Sequence, residues 1–264
     1  MHSEPIRAPS LALLLAEPGR AVFELGLLPS ALPLLRAAPA GDGHAVMVLP
    51  GMAASDRSTV PLRRFLARKG YTAYGWEQGR NIGSETLMEP LLRRLVELRQ
   101  HHGTKVSLVG WSLGGIYARE IARSMPEAVR CVITLGSPFR GPYKASNVWR
   151  VYELLSGKQG NDAGSERFAA APPVPTTAIY TRSDGIVAWR RCIEVAGAQA
   201  ENIEVVGSHS GLGHNALAMY AVADRLAQAE GGWRPFDPRG PLRLLYRRAR
   251  RPISASASAP SAAP

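Results

Sequence analysis

Ser112 stands in the stretch Gly110-Trp111-Ser112-Leu113-Gly114-Gly115, where an apolar run gives way to a helical pattern. One small hydroxyl set among glycines in the order G-x-S-x-G marks a sharp strand-to-helix turn. Such a turn lifts the serine oxygen clear of the sheet edge, and bulky neighbours would clash in it. A serine hydroxyl is a weak nucleophile at neutral pH. It attacks a carbonyl when a base takes its proton and an acid orients that base. In this topology the partners follow in the order Ser, then Asp or Glu, then His.

The acid expected from that order is Asp184, which ends the strand pattern "AIYTRSDGIV". A carboxylate just past an apolar strand points along the same sheet edge as the serine. The base comes from "NIEVVGSHSGLGHN", which offers two histidines. His209 is nearer the strand end, in the loop where a base must sit. His214 is the alternative, and it adjoins Asn215, the expected cap of the last helix. His44, His101 and His102 precede the serine, fall outside the order, and are expected at the surface or at strand edges. A developing oxyanion needs backbone N–H donors. Leu113, next after the serine, supplies one, and Met52 in "VLPGMAAS" supplies the other after Pro50-Gly51 turns the chain.

These residues must be carried by elements that end at one edge. "HAVMVLPG" (44–51) is a continuous apolar run closed by Pro-Gly, as in a strand buried on both faces. "STVPLRRFLARKG" has Leu62, Phe65, Leu66 and Lys69 at helical spacing and stops at Gly70. Strand and helix patterns then alternate: "YTAYGWE", "ETLMEPLLRRLVELRQHHG", "KVSLVG", "LGGIYAREIARSMP", "VRCVITLGSP", "TTAIY", "NIEVVG" and "NALAMYAVADRLAQ". That alternation predicts an α/β fold with a doubly wound, mostly parallel sheet.

Three segments depart from it. Residues 1–43 read as a Pro-punctuated helical cap, with "LALLLA" as part of an amphipathic helix. The catalytic domain is expected over 44–230. Within it, 139–175 is a Gly/Pro/Ala/Ser-rich interruption with a short helix at "NVWRVYELLSG", a possible lid. Its aromatics Phe139, Tyr143, Trp149 and Tyr152, with Val148, Val151, Leu154 and Leu155, suit either an acyl pocket or a helix packed on the core. Residues 231–264 form a basic tail, expected to be disordered.

The motifs "LPGM", "GWSLGG", "SDGIV" and "GSHSGLGHN" together resemble those of the α/β-hydrolase superfamily, in its lipase and esterase part. The resemblance covers roughly residues 44–230. It implies a serine carboxylic-ester hydrolase working through an acyl-enzyme on hydrophobic acyl esters, with Ser112, Asp184 and His209 as its triad. It favours His209, which precedes the Ser210-Gly211-Leu212 run as the base does in small bacterial lipases. The first motif reads Leu-Pro-Gly where many lipases have His-Gly. An acyltransferase or thioesterase would use the same triad, and a catalytically silent binding protein could keep the scaffold. No cofactor or metal is expected. The expected partner is a small ester or lipid-like molecule.

The chain of 264 residues carries a net charge of +11. Seven arginines against Asp237 beyond Gly231 supply +6 of it. That tail suits weak contact with an anionic membrane surface, whereas nucleic-acid binding is not expected because interleaved aromatics are few. Two cysteines, Cys131 and Cys192, are too few for a disulfide framework, and their pairing stays open. No run approaches the ~18 apolar residues of a membrane span, and a cytoplasmic location is the expectation.

Overall fold

The apolar run Ala45–Leu49 forms β1, buried along its whole length. Successive side chains point to opposite faces of a strand, and here each face has a helix layer waiting. Val46 and Val48 pack with Leu62, Phe65 and Leu66 of α3 (Val60–Arg68) and with Met219, Val222 and Leu226 of α7 (Ala216–Leu226). Ala45, Met47 and Leu49 pack on the other face with Leu91, Leu95 and Leu98 of α4 (Met88–His102) and Ala118 and Ile121 of α5 (Leu113–Ser124). Burying each such aliphatic side chain contributes roughly 1.5–3 kcal/mol before ordering costs.

The computed structural model describes residues 5–157, 168–195 and 197–246. The remaining strands are β2 (Thr72–Gly75), β3 (Val106–Trp111), β4 (Val129–Leu135), β5 (Thr176–Tyr180) and β6 (Ala200–Glu204). All six lie in one sheet in the order β2-β1-β3-β4-β5-β6, and every pair is parallel. The chain moves outward from β1 to β2, then returns across β1 to β3. The loops leaving β1 and β3 therefore diverge to opposite faces. That reversal marks the position, at the carboxyl ends of the strands, where doubly wound sheets hold their ligands.

Local chemistry sets the ends of the helices. Gly103 adopts φ +66° at the C-terminus of α4 and sends its N–H to Arg99 O. Asn215 caps α7 as expected, its Oδ1 accepting N–H bonds from Leu217 and Ala218 at 3.0 and 3.1 Å. The short helix expected at 147–157 is α6 (Trp149–Ser156).

The N-terminal segment forms α1 (Leu11–Gly26) and α2 (Leu32–Ala37). α1 packs with the polarity of an ordinary surface helix reversed. Glu17 is 1% exposed, whereas Leu15 and Val22 are 81% and 71% exposed. Residues 231–246, the first part of the expected tail, reach back to α7. Phe236 and Tyr246 meet edge-on with centroids 4.8 Å apart, and Tyr246 Oη donates to Leu217 O of α7 at 2.7 Å. The two aromatic rings supply the apolar surface that the composition of the tail as a whole lacks. The rest of the tail, 247–264, lies outside the described residues. Cys131 and Cys192 are both free thiols. No helix among the described residues is long and apolar enough to cross a membrane.

Candidate active site

Ser112 sits between β3 and α5 at φ +52° and ψ −120°. A non-glycine residue there is strained by roughly 1–3 kcal/mol, so the surroundings must hold it. They do so through glycines that let backbone approach backbone. A Cβ on Gly110 would overlap Gly115 Cα, one on Gly114 would overlap Leu49 O, and one on Gly115 would overlap Ser137 Oγ. Ser112 N donates to Leu135 O of β4 at 2.8 Å, and Gly115 N donates to Ser112 O at 3.0 Å. Ser112 is half-buried.

Asp184 follows β5 and His209 follows β6, two neighbouring strands that end at the same edge. His209 Nδ1 lies 2.6 Å from Asp184 Oδ2. The other carboxylate oxygen, Oδ1, accepts the N–H groups of Ile186 and Val187, each at 2.8 Å. Asp184 is therefore fixed at both oxygens. It holds the proton on Nδ1 and leaves Nε2 as the basic nitrogen. Burial works to depress the pKa of His209, but the Asp184 carboxylate and its hydrogen bond, with the charge of Glu17, outweigh it, and the net direction is upward.

The His209 loop abuts the serine turn on both sides. Trp111 Nε1, one residue before Ser112, donates to His209 O at 3.1 Å. Gly136, next to the Leu135 that receives the Ser112 N–H, would place a Cβ 3.1 Å from His209 Nδ1. His214 points elsewhere: its Nε2 lies 2.9 Å from Ala21 O of α1. The structure thus pairs His209 with Asp184 beside the Ser112 turn and gives the alternative histidine a contact with the N-terminal helix.

Leu113 and the loop that carries Met52 flank Ser112. Leu113 opens α5, where the first amides lack intrahelical acceptors. A Cβ on Gly51 would lie 3.4 Å from Ser112 Cβ, so the loop carrying Met52 runs directly beside the serine. That loop is braced by Asn81, a residue the sequence reading passed over. Asn81 is 0% exposed. Its Nδ2 donates to Pro50 O at 2.8 Å, its backbone O accepts Ala53 N at 2.7 Å, and its N donates to Ala54 O at 2.8 Å. Ala53 is held at φ +58° between these bonds.

No family model matches the chain, and no curated protein matches it in sequence. Solved structures do match in fold. Lipase B of Aspergillus fumigatus superimposes with a TM-score of 0.55 at 20% identity, over 75% of this chain and 57% of the lipase. An α/β superfamily hydrolase from Oenococcus oeni gives 0.53 at 14% identity, over 70% of this chain and 91% of its own. A monoacylglycerol lipase from Paleococcus ferrophilus gives 0.50 at 15% identity, over 71% and 97%. The chain has the α/β-hydrolase fold. It spans little more than half the length of the fungal lipase.

The same three residue types also occur together at the opposite end of the strands. His44 Nδ1 contacts the Asp42 carboxylate, and His44 Nε2 lies 2.8 Å from Ser107 Oγ. Ser107 is 0% exposed inside β3, so no substrate carbonyl can reach it. His44 lies at the edge of β1, one of the two places expected for it, but at 5% exposed it is not a surface residue. Asp42, Arg130 and Ser107 satisfy both of its nitrogens, and burial lowers its pKa. His101 is exposed as expected, while His102 is half-buried with Tyr74 Oη 2.9 Å from its Nε2.

The 139–175 insertion of this hydrolase fold is described only at its two ends, since residues 158–167 lie outside the described residues. Phe139 belongs to the core: it is 0% exposed and lies 3.8 Å beneath the Arg119 guanidinium. At the other end Arg119 Nη2 donates to Phe168 O and Ala170 O at 3.0 and 2.8 Å, while its Nη1 pairs with the buried Glu194 carboxylate. Between these anchors α6 leaves Val151 and Leu154 exposed. Among the described residues no group of three or more His, Cys, Asp or Glu is gathered to hold a metal ion.

Proposed function

We propose that this protein is a serine carboxylic-ester hydrolase acting through an acyl-enzyme on esters of hydrophobic acids. The observation that carries the reading is the Asp184–His209 pair at 2.6 Å, seated beside the strained Ser112 turn. His209 Nε2 takes the Ser112 proton as Oγ attacks the ester carbonyl carbon. The tetrahedral oxyanion is received by the Met52 and Leu113 amides. The carbon–alkoxide bond breaks, His209 returns the proton to the leaving alcohol, and the acyl group stays on Ser112. Water then repeats the sequence in reverse roles and frees the acid. Asp184 stabilises the imidazolium at each stage and keeps its own charge.

An apolar acyl group is favoured by the wall beside the Met52 loop. A Cβ on Gly83, two residues from Asn81, would lie 2.9 Å from the Tyr152 ring of α6, which brings that aromatic helix next to the braced loop. A pocket that buries acyl methylenes gains about 0.8 kcal/mol for each, or about fourfold in kcat/KM. The test uses p-nitrophenyl esters and a fluorophosphonate label. The wild type labels and turns over butyrate faster than acetate by about fifteenfold, two methylenes' worth, and Ser112→Ala does neither. Retained turnover in Ser112→Ala would overturn the nucleophile, and a strict preference for acetate would overturn the acyl assignment.

A further inference from the structure

The loops that carry Asp184 and His209 are held by three charged side chains spaced 17, 20 and 24 on α1, an element outside the region of resemblance to hydrolases. Glu17 Oε1 accepts the N–H of Gly185, next to Asp184, at 2.8 Å and the N–H of His209 itself at 3.0 Å. Its Oε2 accepts the N–H of Ser210 at 2.8 Å. Arg20 donates to Ser183 O at 2.8 Å and to Gly207 O at 2.5 Å, the residues before Asp184 and two before His209. Glu24 accepts Ser208 N at 2.6 Å and Asn215 Nδ2 at 3.1 Å. One helix face thus grips both loops on either side of their reactive residues.

A second observation is independent of these bonds. Each gripped loop carries glycine where α1 comes close. A Cβ on Gly185 would overlap Leu13 O, one on Gly211 would overlap the Glu24 carboxylate, and one on Gly207 would lie 2.9 Å from Glu24 Oε2. A helix that merely covered the body would need no such clearance, and it would turn its leucines inward.

We infer that Glu17, supported by Arg20, is a positioning residue: it sets the approach of His209 to Asp184 by binding the backbone of both loops at once. The inference rests on the ester-hydrolase reading for its kinetic consequence and on geometry alone for its structural one. A single carboxylate bonded to both loops fixes their separation as two separate contacts would not.

The charges turned toward His209 are Asp184 from the loop after β5 and Glu17 from α1, with Arg20 one turn and Glu24 two turns further along α1. β3 meets the loop with Trp111, β4 with Gly136 and α7 with Asn215, all neutral. Glu17 therefore also raises the pKa of the imidazole.

The experiment titrates the His209 ring by NMR in the wild type and in Glu17→Gln, assigning the signal with His209→Gln, and measures kcat and KM across pH. In Glu17→Gln the His209 midpoint moves to lower pH, the acid limb of kcat/KM moves with it, and kcat falls about tenfold with KM within about threefold. Glu17→Asp recovers the midpoint in part. Arg20→Met, which removes a half-buried charge where Glu17 is fully buried, keeps the fold and lowers kcat about threefold. This variant decides the matter if Glu17→Gln does not fold. An unmoved His209 midpoint in folded Glu17→Gln, or wild-type kcat in Arg20→Met, would overturn the inference. A wild type that neither hydrolyses esters nor labels with fluorophosphonate would instead overturn the hydrolase reading, and the NMR titration would still judge the grip of α1.

Discussion

Ser112 is held at a backbone geometry that a serine adopts only under constraint, and the constraint has a measurable counterpart. Ser112→Gly removes the Cβ that makes φ +52° costly, so the variant gains up to about 2 kcal/mol in urea unfolding while losing turnover. Equal or lower stability would show that the turn is not strained. The two histidines separate cleanly at the same scale. His209→Ala abolishes turnover, whereas His214→Ala, which loses only the contact to Ala21 O, keeps kcat within about threefold and loses about 1 kcal/mol. The pH profile follows from the direction of the His209 shift. A base must be unprotonated to act, and burial, which would lower its pKa, is outweighed by Asp184 and Glu17. The acid limb of kcat/KM accordingly lies above pH 6.5, the ordinary imidazole value. A limb below that value would contradict the charge arrangement.

At the scale of elements, α5 is pressed against β1 by its own glycines. Gly114→Ala drives a methyl group into Leu49 O and Pro50 O, which are rigid backbone. It destabilises by about 1–3 kcal/mol, read by denaturant midpoint, and displaces the turn below it. The buried Arg119–Glu194 pair works differently. Glu194→Ala strands a guanidinium that is 0% exposed, and a loss of about 3–5 kcal/mol is expected. Much of this was readable from the sequence. G-x-S-x-G between strand and helix patterns, an aspartate past β5 and a histidine past β6 follow from chain order and hydrophobic period. The part that was not readable is contact that periodicity cannot see. The leucines of α1 suggested a helix packing by its apolar face, yet Glu17, Arg20 and Glu24 take that place because their donors and acceptors lie in loops far along the chain. Their spacing of three and four on one helical face was the available signal. Asn81 gave none, since its role depends on where the loop after β2 meets the loop after β1.

For the molecule as a whole, charge is distributed so that low pH acts on its joints. The pKa of Glu17 is lowered because, although burial pushes it up, bonds from Ser210, Gly185 and His209 favour the anion more. Asp42 is lowered likewise against burial by its bonds to His44 and Arg130. A depressed carboxylate contributes stability that is present above its unfolded pKa and lost as pH falls through the folded one. Stability should therefore hold from pH 7 to about 5 and decline below about pH 4, monitored by circular dichroism. Glu17→Gln should flatten that decline. The bonds from Glu17 to Gly185, His209 and Ser210 span 168, 192 and 193 residues. During synthesis α1 therefore emerges long before the loops it holds. Until those loops follow, Glu17, Arg20 and Glu24 have no backbone there to grip, and the helix carries its leucines bare through that wait.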